Sequence, residues 1–186
     1  SGPLSRYQSP VDLSQTAYPD RAKADRKLLT YTSAPQTEDL LVAGNPEVDL
    51  TIASSAPDGM VIAYLEDVLP SGRVVYLSEG VLRLAARKIS QTQVGADPLH
   101  SYLAADATPM TPGRADQIRI PLSPIAFILR KGERLRLAIA GADNDNLERI
   151  PAAGPETFKV LRTLAAPSFL EIPVQAMSPP GPAHRP

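Results

Sequence analysis

Apolar and polar residues alternate along several short segments of the chain, and this alternation predicts a β-rich domain. Within Glu133–Ala140, one set of alternate positions is Leu135, Leu137 and Ile139. The other set is Arg134, Arg136 and Ala138. A period of two is typical of a strand with one buried face. We therefore expect the first set in the core, and the two arginines on a solvated outer face.

Other segments show the same alternation or a short apolar run, and we predict a strand for each of them. The predicted strands are Lys27–Ser33, Leu40–Ala43, Glu47–Ser54, Met60–Val68, Val74–Leu77 and Gln117–Leu122. The clearest alternation lies in Glu47–Ser54. The positions of that segment expected to share the core with Leu135, Leu137 and Ile139 are Val48, Leu50 and Ile52. These segments together favour an antiparallel all-β architecture.

Three stretches are harder to assign from periodicity. Gly80–Arg87 fits either a strand or a helical turn, because its Leu and Ala residues favour helix. Ile125–Leu129 is predicted to be a short apolar crossing between two strands. Thr157–Arg162 and Ser168–Val174 are predicted to close the domain as a last hairpin.

Turn-forming residues divide the chain into many short elements. The chain has 20 prolines and 11 glycines among its 186 residues, and proline interrupts helices and interior strands. We predict one domain over residues 27–174, with an N-terminal loop segment at 1–26 and a disordered tail at 175–186. Inside the domain, Lys88–Ala115 is a long connection, and such loops are usually functional or docked against another structure.

Charge and hydropathy narrow the classes of partner. The 19 basic and 20 acidic residues give a net charge of −1, so we expect no nucleic-acid partner. No apolar run approaches the roughly 20 residues that cross a bilayer, so we expect no membrane partner. The chain has no cysteine, which excludes disulfides and thiolate metal sites and leaves the cellular compartment open.

The residues needed for hydrolysis do not occur in a recognisable pattern. A serine nucleophile elbow has the form Gly-x-Ser-x-Gly, which is absent from the sequence. The two histidines are His100, in a Pro- and Ala-rich stretch, and His184, near the end of a Pro-rich tail. A Ser-His-Asp arrangement requires a base held at the serine and a third group that orients the base. We therefore predict no catalytic residue, no metal ligand and no cofactor in this chain.

Several strings of residues follow one another in a characteristic order. The longest is Phe127–Ile139. The others are Leu29–Pro35, Glu38–Leu40, Val42–Gly44, Ser55–Asp58, Leu65–Val68, Pro70–Arg73, Glu79–Arg83, His100–Tyr102, Ala105–Ala107, Pro112–Gly113 and Ala140–Asp143. In this order they resemble the C-terminal domain of the X-prolyl dipeptidyl peptidase and cocaine esterase (CocE/NonD) family of serine hydrolases. The family pattern F-x-x-G-H-x-(I/L)-R-(I/L)-x-I is met over Gly132–Ile139 except that Glu133 replaces the common His. Four residues rather than two separate Phe127 from Gly132.

The resemblance implies an all-β fold, a jelly-roll β-sandwich of the galactose-binding-domain-like type. It also implies a non-catalytic domain that buttresses an α/β-hydrolase domain and shapes its active-site mouth. On this alignment Ser1–Ser5 match the end of the family domain's first strand, so the chain is expected to begin inside the domain. The expected partners are the α/β-hydrolase catalytic domain, missing from this chain, and a second copy of the chain.

Two loops supply the candidate contact residues. By the resemblance, His100, Tyr102, Leu103 and Arg149 are candidates for the interdomain surface or the rim of the hydrolase pocket. The alternative is that His100 and Tyr102 only fasten their loop to the sandwich by hydrogen bonds. We expect the partner to cover Asp143–Pro151 and the long loop, where the relevant apolar residues are Ile89, Leu99, Tyr102, Leu103 and Met110.

Two other interpretations stay open. The sandwich could be a free-standing module that binds carbohydrate or protein. Sugar sites usually present flat aromatic faces, however, and this chain has no Trp, three Phe and six Tyr. Asp143–Asn146 groups the oxygens that calcium prefers, yet it lacks the Gly and the distal Glu of a twelve-residue calcium loop. Such Asx residues also favour turns.

Overall fold

The computed structural model describes residues 20–90, 99–143, 147–151 and 156–175. The predictions for Ser1–Ser5 and for tail residues 176–186 lie outside these residues. The described strands are β1 Leu29–Thr32, β2 Leu40–Gly44, β3 Glu47–Ser54, β4 Met60–Val68, β5 Val74–Arg83, β6 Ala115–Pro121, β7 Ile125–Leu129, β8 Arg134–Ala140, β9 Phe158–Leu161, β10 Phe169–Glu171 and β11 Val174–Gln175. Short 3₁₀ helices span Arg21–Lys27, Leu84–Ala86 and Ala104–Asp106.

The first sheet contains four antiparallel strands in the order β1, β8, β4, β5. The β4–β5 hairpin turns at Pro70–Arg73, where Gly72 adopts a φ of 87° that favours glycine. The N–H of Leu69 donates to the carbonyl of Arg73 over 2.9 Å and closes this turn. β8 lies between β1 and β4, so the alternating segment Arg134–Ala140 occupies the interior of the sheet.

The second layer consists of two antiparallel parts that meet at a bend. One part has four strands, β10, β3 and β6 in that order with β9 also paired to β3, and the other has three strands in the order β11, β2, β7. The chain passes directly from one part to the other three times: from β2 to β3, from β6 to β7 and from β10 to β11. At the bend, Gly44 has a φ of 137° and lies against Pro173. A Cβ on Gly44 would lie 2.8 Å from Pro173 Cγ, so this close approach requires glycine.

The predicted last hairpin is wrong. Strands β9 and β10 both pair with β3 rather than with each other: β9 lies beside Thr51–Ser54 and β10 beside Glu47–Asp49. The backbone N–H of Thr51 donates to Ser168 Oγ over 2.9 Å, and its hydroxyl donates to the carbonyl of Pro167 over 2.8 Å. These bonds hold the start of β10 on β3 although a turn separates it from β9.

Two ambiguous segments adopt clear structures. Ile125–Leu129, predicted to be a crossing, is strand β7 and pairs with all five residues of β2. Gly80–Arg87 combines both of its predicted forms, since β5 runs to Arg83 and the 3₁₀ helix Leu84–Ala86 follows. The first half of this segment is a strand despite its local helix propensity, because Val81 and Leu82 pair with β4.

The main hydrophobic core lies between the two layers. It contains the six residues predicted to share it: Val48, Leu50, Ile52, Leu135, Leu137 and Ile139. Alternate residues of β4 and β6 complete it: Val61, Ala63, Leu65, Ile118 and Ile120. Each fully buried Val, Leu or Ile side chain contributes about 1.5–3 kcal/mol relative to an exposed one. This packing of two antiparallel layers confirms the predicted all-β sandwich.

The outer face of the first sheet carries a second apolar cluster, so it is not the solvated face that we predicted for β8. Its buried members are Met60, Ile62, Tyr64, Ala138 and Ala140. Leu28, Leu147 and Ile150 pack against them. The 3₁₀ helix Arg21–Lys27 replaces the end of the predicted N-terminal loop and the first residue of the predicted strand Lys27–Ser33, and it adjoins this face. Asp20 caps the helix by accepting the N–H of Ala22 and also accepts the N–H of Val74 from β5, each over 3.0 Å.

The sandwich has two edges, each formed by one strand from each layer. At the first edge, β1 lies near β9, and the Arg162 guanidinium stacks 4.8 Å from the Tyr31 ring centroid. At the second edge, β5 lies near β6, and Ser78 Oγ donates to the carbonyl of Ser123 over 2.7 Å. No helix among the described residues is long and apolar enough to cross a membrane.

Candidate interdomain surface

The long loop after β5 is fastened to itself where its two described parts meet. Ile89 and His100 form an isolated antiparallel bridge. The N–H of Ser90 donates to the carbonyl of Leu99 over 2.6 Å, and that of Ser101 donates to the carbonyl of Lys88 over 3.1 Å. The position of residues 99–103 is therefore set by a two-stranded contact with the chain that leaves β5.

His100 fastens this loop to the second edge of the sandwich. Its ring is buried, with 6% exposure, and Nε2 lies 2.8 Å from the carbonyl oxygen of Arg119 in β6. A carbonyl oxygen only accepts, so Nε2 carries the hydrogen. Nε2 therefore fulfils the alternative role expected of His100, which is to fasten the loop to the sandwich. Nδ1 is also buried, takes no part in this contact and has no hydrogen-bond partner among the described residues.

Three large apolar side chains project from the fastened loop. Leu99 is 42% exposed, Tyr102 is 67% exposed and Leu103 is 64% exposed. Tyr102 lies edge-on to His100, with ring centroids 5.8 Å apart. Its φ of 50° is in the left-handed region, which costs a residue with a Cβ about 1–2 kcal/mol. We call Leu99, Tyr102 and Leu103 the apolar loop surface.

Polar contacts hold the rest of the loop below this surface. The N–H of Asp106 donates to the carbonyl of Leu103 over 2.9 Å at the 3₁₀ helix Ala104–Asp106. Lys88 forms an ion pair with the Asp106 carboxylate, and the hydrogen bond from Lys88 is the main cause of the lowered pKa of Asp106. Arg87 Nη2 lies 2.8 Å from Asp116 Oδ2. The loop therefore presents its apolar side chains from a defined backbone.

Two residues expected on this surface lie elsewhere. Met110 is 2% exposed and belongs to the main core, because its N–H donates to the carbonyl of Pro57 over 2.6 Å and draws the chain inward. Arg149 lies in the segment whose Leu147 and Ile150 pack on the outer face of the first sheet. His100, Tyr102 and Leu103 are thus brought together at the second edge, whereas Arg149 comes from a separate segment of the chain.

The structure also contains a buried charge cluster that the sequence analysis missed. Glu66 in β4 is fully buried and forms an ion pair with Arg21 Nε. Asp25 is paired with Arg21 Nη2 at 3.6 Å and with Arg136 Nη1 at 3.2 Å. The Arg21 guanidinium also lies 4.1 Å from the Tyr64 ring centroid. The one sequence signal for this cluster is a glutamate within the apolar run Met60–Val68.

The charge cluster attaches the N-terminal 3₁₀ helix to the first sheet. Burial raises the pKa of Glu66, and the contact with Arg21 opposes that rise. The Asp25 carboxylate is paired with two guanidinium groups, those of Arg21 and Arg136. The arrangement supplies ion pairing and packing rather than a nucleophile, so its function is structural.

The part of the chain that the structure describes provides no evidence for a binding site for calcium or another metal ion. Within residues 20–90, 99–143, 147–151 and 156–175, no group of three or more His, Asp or Glu side chains could hold a metal ion. The candidate calcium string Asp143–Asn146 lies mostly outside the described residues. Its first member, Asp143, accepts the Tyr64 hydroxyl at Oδ2 over 2.8 Å.

The fold and this surface define a β-sandwich domain that presents a fastened apolar loop. The sequence profile of the X-Pro dipeptidyl-peptidase C-terminal non-catalytic domain matches residues 4–178, and the chain belongs to this family. The resemblance drawn from the ordered motifs is thereby confirmed.

The curated relatives that match this chain are longer proteins. Proteins named "Putative serine esterase" from Mycobacterium bovis and Mycobacterium tuberculosis are each 39% identical to this chain over 180 residues. The match covers 94% of this chain and 28% of each relative. The chain therefore spans little more than a quarter of the length of these relatives.

Solved structures share the fold. A CocE/NonD family hydrolase from Staphylococcus aureus matches with a TM-score of 0.66 at 16% identity, over 84% of this chain and 32% of that chain. An aminopeptidase from a marine sediment archaeon of the Thaumarchaeota matches with a TM-score of 0.65 at 21% identity, over 84% and 27%. An α-amino acid ester hydrolase matches with a TM-score of 0.65 at 20% identity, over 84% of this chain and 27% of that chain. In each case the sandwich is the shared part of a larger chain.

Proposed function

We propose that this domain docks on the α/β-hydrolase domain of a CocE/NonD-type serine hydrolase through the apolar loop surface. In that position it buttresses the hydrolase domain and forms one wall of the active-site mouth. The observation that carries the proposal is the exposure of Leu99, Tyr102 and Leu103 together on one fastened loop. Neighbouring exposed apolar side chains on a soluble domain mark a surface that a partner covers.

The fastening of the loop favours docking over a merely flexible connection. The Ile89–His100 bridge and the Lys88–Asp106 ion pair order the backbone before any partner binds. A preordered loop loses less conformational entropy on association than a disordered one. Interfaces between domains of one chain commonly bury about 600–1,500 Å², so the polar surroundings of the three apolar residues would also be covered.

The location of the surface fits a side-by-side arrangement of two domains. The apolar loop surface lies at the second edge, where His100 is bonded to Arg119 of β6. The other large exposed apolar residues include Leu164, at the turn between β9 and β10, and Phe169, at the first edge. Arg149, between Leu147 and Ile150 in the chain, remains a predicted rim residue whose contribution is a separate question from that of His100, Tyr102 and Leu103.

A chimaera tests the proposal. This chain replaces the matching segment of the M. tuberculosis relative, a substitution supported by 39% identity over 180 residues. Amide hydrogen exchange is then measured on the isolated chain and on the chimaera. We expect slower exchange at residues 99–106 in the chimaera and unchanged exchange at the Thr163–Ala166 turn.

Matched substitutions sharpen this test. Leu103→Ala in the chimaera should reduce the protection of residues 99–106, whereas Leu164→Ala should not, although Leu164 is the more exposed leucine. Protection at the Thr163–Ala166 turn with none at residues 99–106 would exclude docking through this surface. Protection of residues 99–106 in the isolated chain on addition of an oligosaccharide would favour a carbohydrate-binding module instead.

A further inference from the structure

His100 has one ring nitrogen in use and one that the domain leaves without a partner. Nε2 donates to the carbonyl of Arg119, so in the neutral ring Nδ1 is an acceptor. Nδ1 is buried and unpaired among the described residues. A buried polar atom without a hydrogen bond costs free energy, and most such atoms in folded proteins find a partner. The unpaired acceptor lies beneath the apolar loop surface.

We propose that His100 Nδ1 accepts a hydrogen bond from an N–H or O–H donor of the docked hydrolase domain, and that Tyr102 covers this acceptor until docking. The inference rests on the proposed function and adds the polar contact that sets the register of docking. A hydrogen bond surrounded by apolar contacts is sensitive to alignment, so it would select one relative position of the two domains.

The neighbouring charged groups are already engaged within the loop. Lys88 is paired with Asp106, and Arg87 is bonded to Asp116. These pairs commit the two cationic side chains that precede Ile89, the bridge partner of His100, to the loop's own structure. The ring of Tyr102 lies edge-on to the His100 imidazole, with centroids 5.8 Å apart. The matching partner is therefore a single donor flanked by apolar side chains.

Tyr102 is suited to act as a cover. Its ring lies against His100 on one side, yet the residue is 67% exposed. Rotation about its side-chain bonds can therefore move its ring away from the imidazole without movement of the backbone, which the Ser101–Lys88 hydrogen bond holds. Such rotations of exposed side chains take place within nanoseconds and do not limit association.

Substitution of His100 separates its two functions. In His100→Gln the side-chain amide can still donate to the carbonyl of Arg119, but no acceptor remains at the position of Nδ1. In the isolated chain, we expect His100→Gln to leave the exchange of residues 99–106 unchanged. In the chimaera, we expect roughly tenfold less docking protection of these residues, the effect of one lost hydrogen bond.

The imidazole nitrogens give a second measurement that needs no variant. The chain has two histidines, His100 and His184, so ¹⁵N-histidine labelling confined to this chain yields two sets of ring signals. Joining the labelled chain to the unlabelled remainder of the relative should shift the Nδ1 resonance of His100. The Nε2 resonance of His100 should stay in place, because its bond to Arg119 is internal.

The outcomes separate the inference from the function on which it rests. Absence of protection at residues 99–106 in the wild-type chimaera would contradict docking itself. Normal protection with an unshifted Nδ1 resonance, or with full docking protection in His100→Gln, would overturn the inference and leave docking intact. A shift of Nδ1 in the isolated chain on addition of an oligosaccharide would also overturn it, because the donor would then be a sugar hydroxyl.

Discussion

Arg136 Nη1 lies 3.2 Å from Asp25 Oδ2 and joins strand β8 to a 3₁₀ helix 111 residues earlier in the chain. The Asp25 side chain is 2% exposed, while that of Arg136 is 20% exposed. Asp25 also faces Arg21, whose Nε pairs with the buried Glu66. Arg136 therefore belongs to a buried charge network although it lies on the face opposite the main core.

Arg136→Ala should destabilise the domain by about 2 kcal/mol, because it removes a hydrogen-bonded partner from a buried carboxylate. Arg134→Ala is the matched control. Arg134 lies on the same face of β8, but it is exposed and donates to the carbonyl of Ser33. Its removal should change stability by less than about 0.5 kcal/mol. Urea unfolding of the two variants measures both effects, and equal losses would show that the Asp25 contact is energetically unimportant.

The alternation in β8 predicted which side chains face the main core but not what covers the other side. Leu135, Leu137 and Ile139 follow from the two-residue period, which is a local property. The partner of Arg136 is Asp25, and no local pattern links residues so far apart. The loop-like composition of the N-terminal residues also concealed the 3₁₀ helix, which depends on contacts with β4 and β8 rather than on its own propensity.

The candidate site was predictable to a similar extent. Tyr102 and Leu103 were recognisable as apolar residues on a long loop, and they are exposed. Met110 was assigned to the same surface because a segment without periodicity gives no indication of its buried side. Its burial depends on a backbone bond to Pro57, more than fifty residues earlier in the chain. The unpaired nitrogen of His100 is likewise a tertiary property.

Leu137→Ala tests the assignment of the main core. Leu137 lies opposite Leu65 in the register between β8 and β4, and both are buried. The substitution should cost about 2–5 kcal/mol, the range for leucine truncation in a packed core. Leu164→Ala, at a fully exposed leucine, should cost less than about 0.5 kcal/mol. A small loss for Leu137→Ala would mean that the interior between the layers is poorly packed.

The half-buried Asp67 beside Glu133 predicts a pH effect. Burial, followed by the influence of the nearby Glu133 carboxyl group, raises the pKa of Asp67 to about 6. An unfolded Asp titrates near 3.8, so the folded state binds this proton more tightly. The resulting stabilisation is complete below about pH 4 and is lost as the pH rises through 6.

Asp67→Asn should remove that pH dependence. Between pH 5 and pH 7.5, the unfolding free energy of the wild type should fall relative to that of Asp67→Asn, because the neutral amide never ionises. Glu133→Gln should act in the same direction. Asp39→Asn serves as the control, since the N–H of Lys131 lowers the pKa of Asp39 and places its titration below this range. Denaturant unfolding at several pH values provides the comparison, and parallel curves for wild type and Asp67→Asn would contradict the prediction.

The isolated chain should hydrolyse neither activated esters nor X-Pro anilides above the buffer rate. His100 Nε2 is engaged by a backbone carbonyl, so this imidazole does not activate a serine through that nitrogen. Incubation with a serine-directed fluorophosphonate, followed by intact mass measurement, should show no stoichiometric labelling. A serine esterase under the same conditions provides the positive control. Labelling of one serine together with turnover would contradict the non-catalytic assignment.

Gly44→Ala tests the bend that divides the second layer. At this position a side chain meets two obstacles: a φ of 137°, which L-residues rarely adopt, and Pro173 Cγ, 2.8 Å from the new Cβ. Gly72→Ala meets the first obstacle alone, since its φ is 87° and no atom lies within 4 Å. We expect a loss of about 1 kcal/mol for Gly72→Ala and a larger loss for Gly44→Ala. In urea unfolding, Pro173→Ala should recover part of the Gly44→Ala loss, which a double-mutant cycle detects as coupling. Additive losses would show that β2 and the Pro173 segment separate freely and that their contact does not fix the bend.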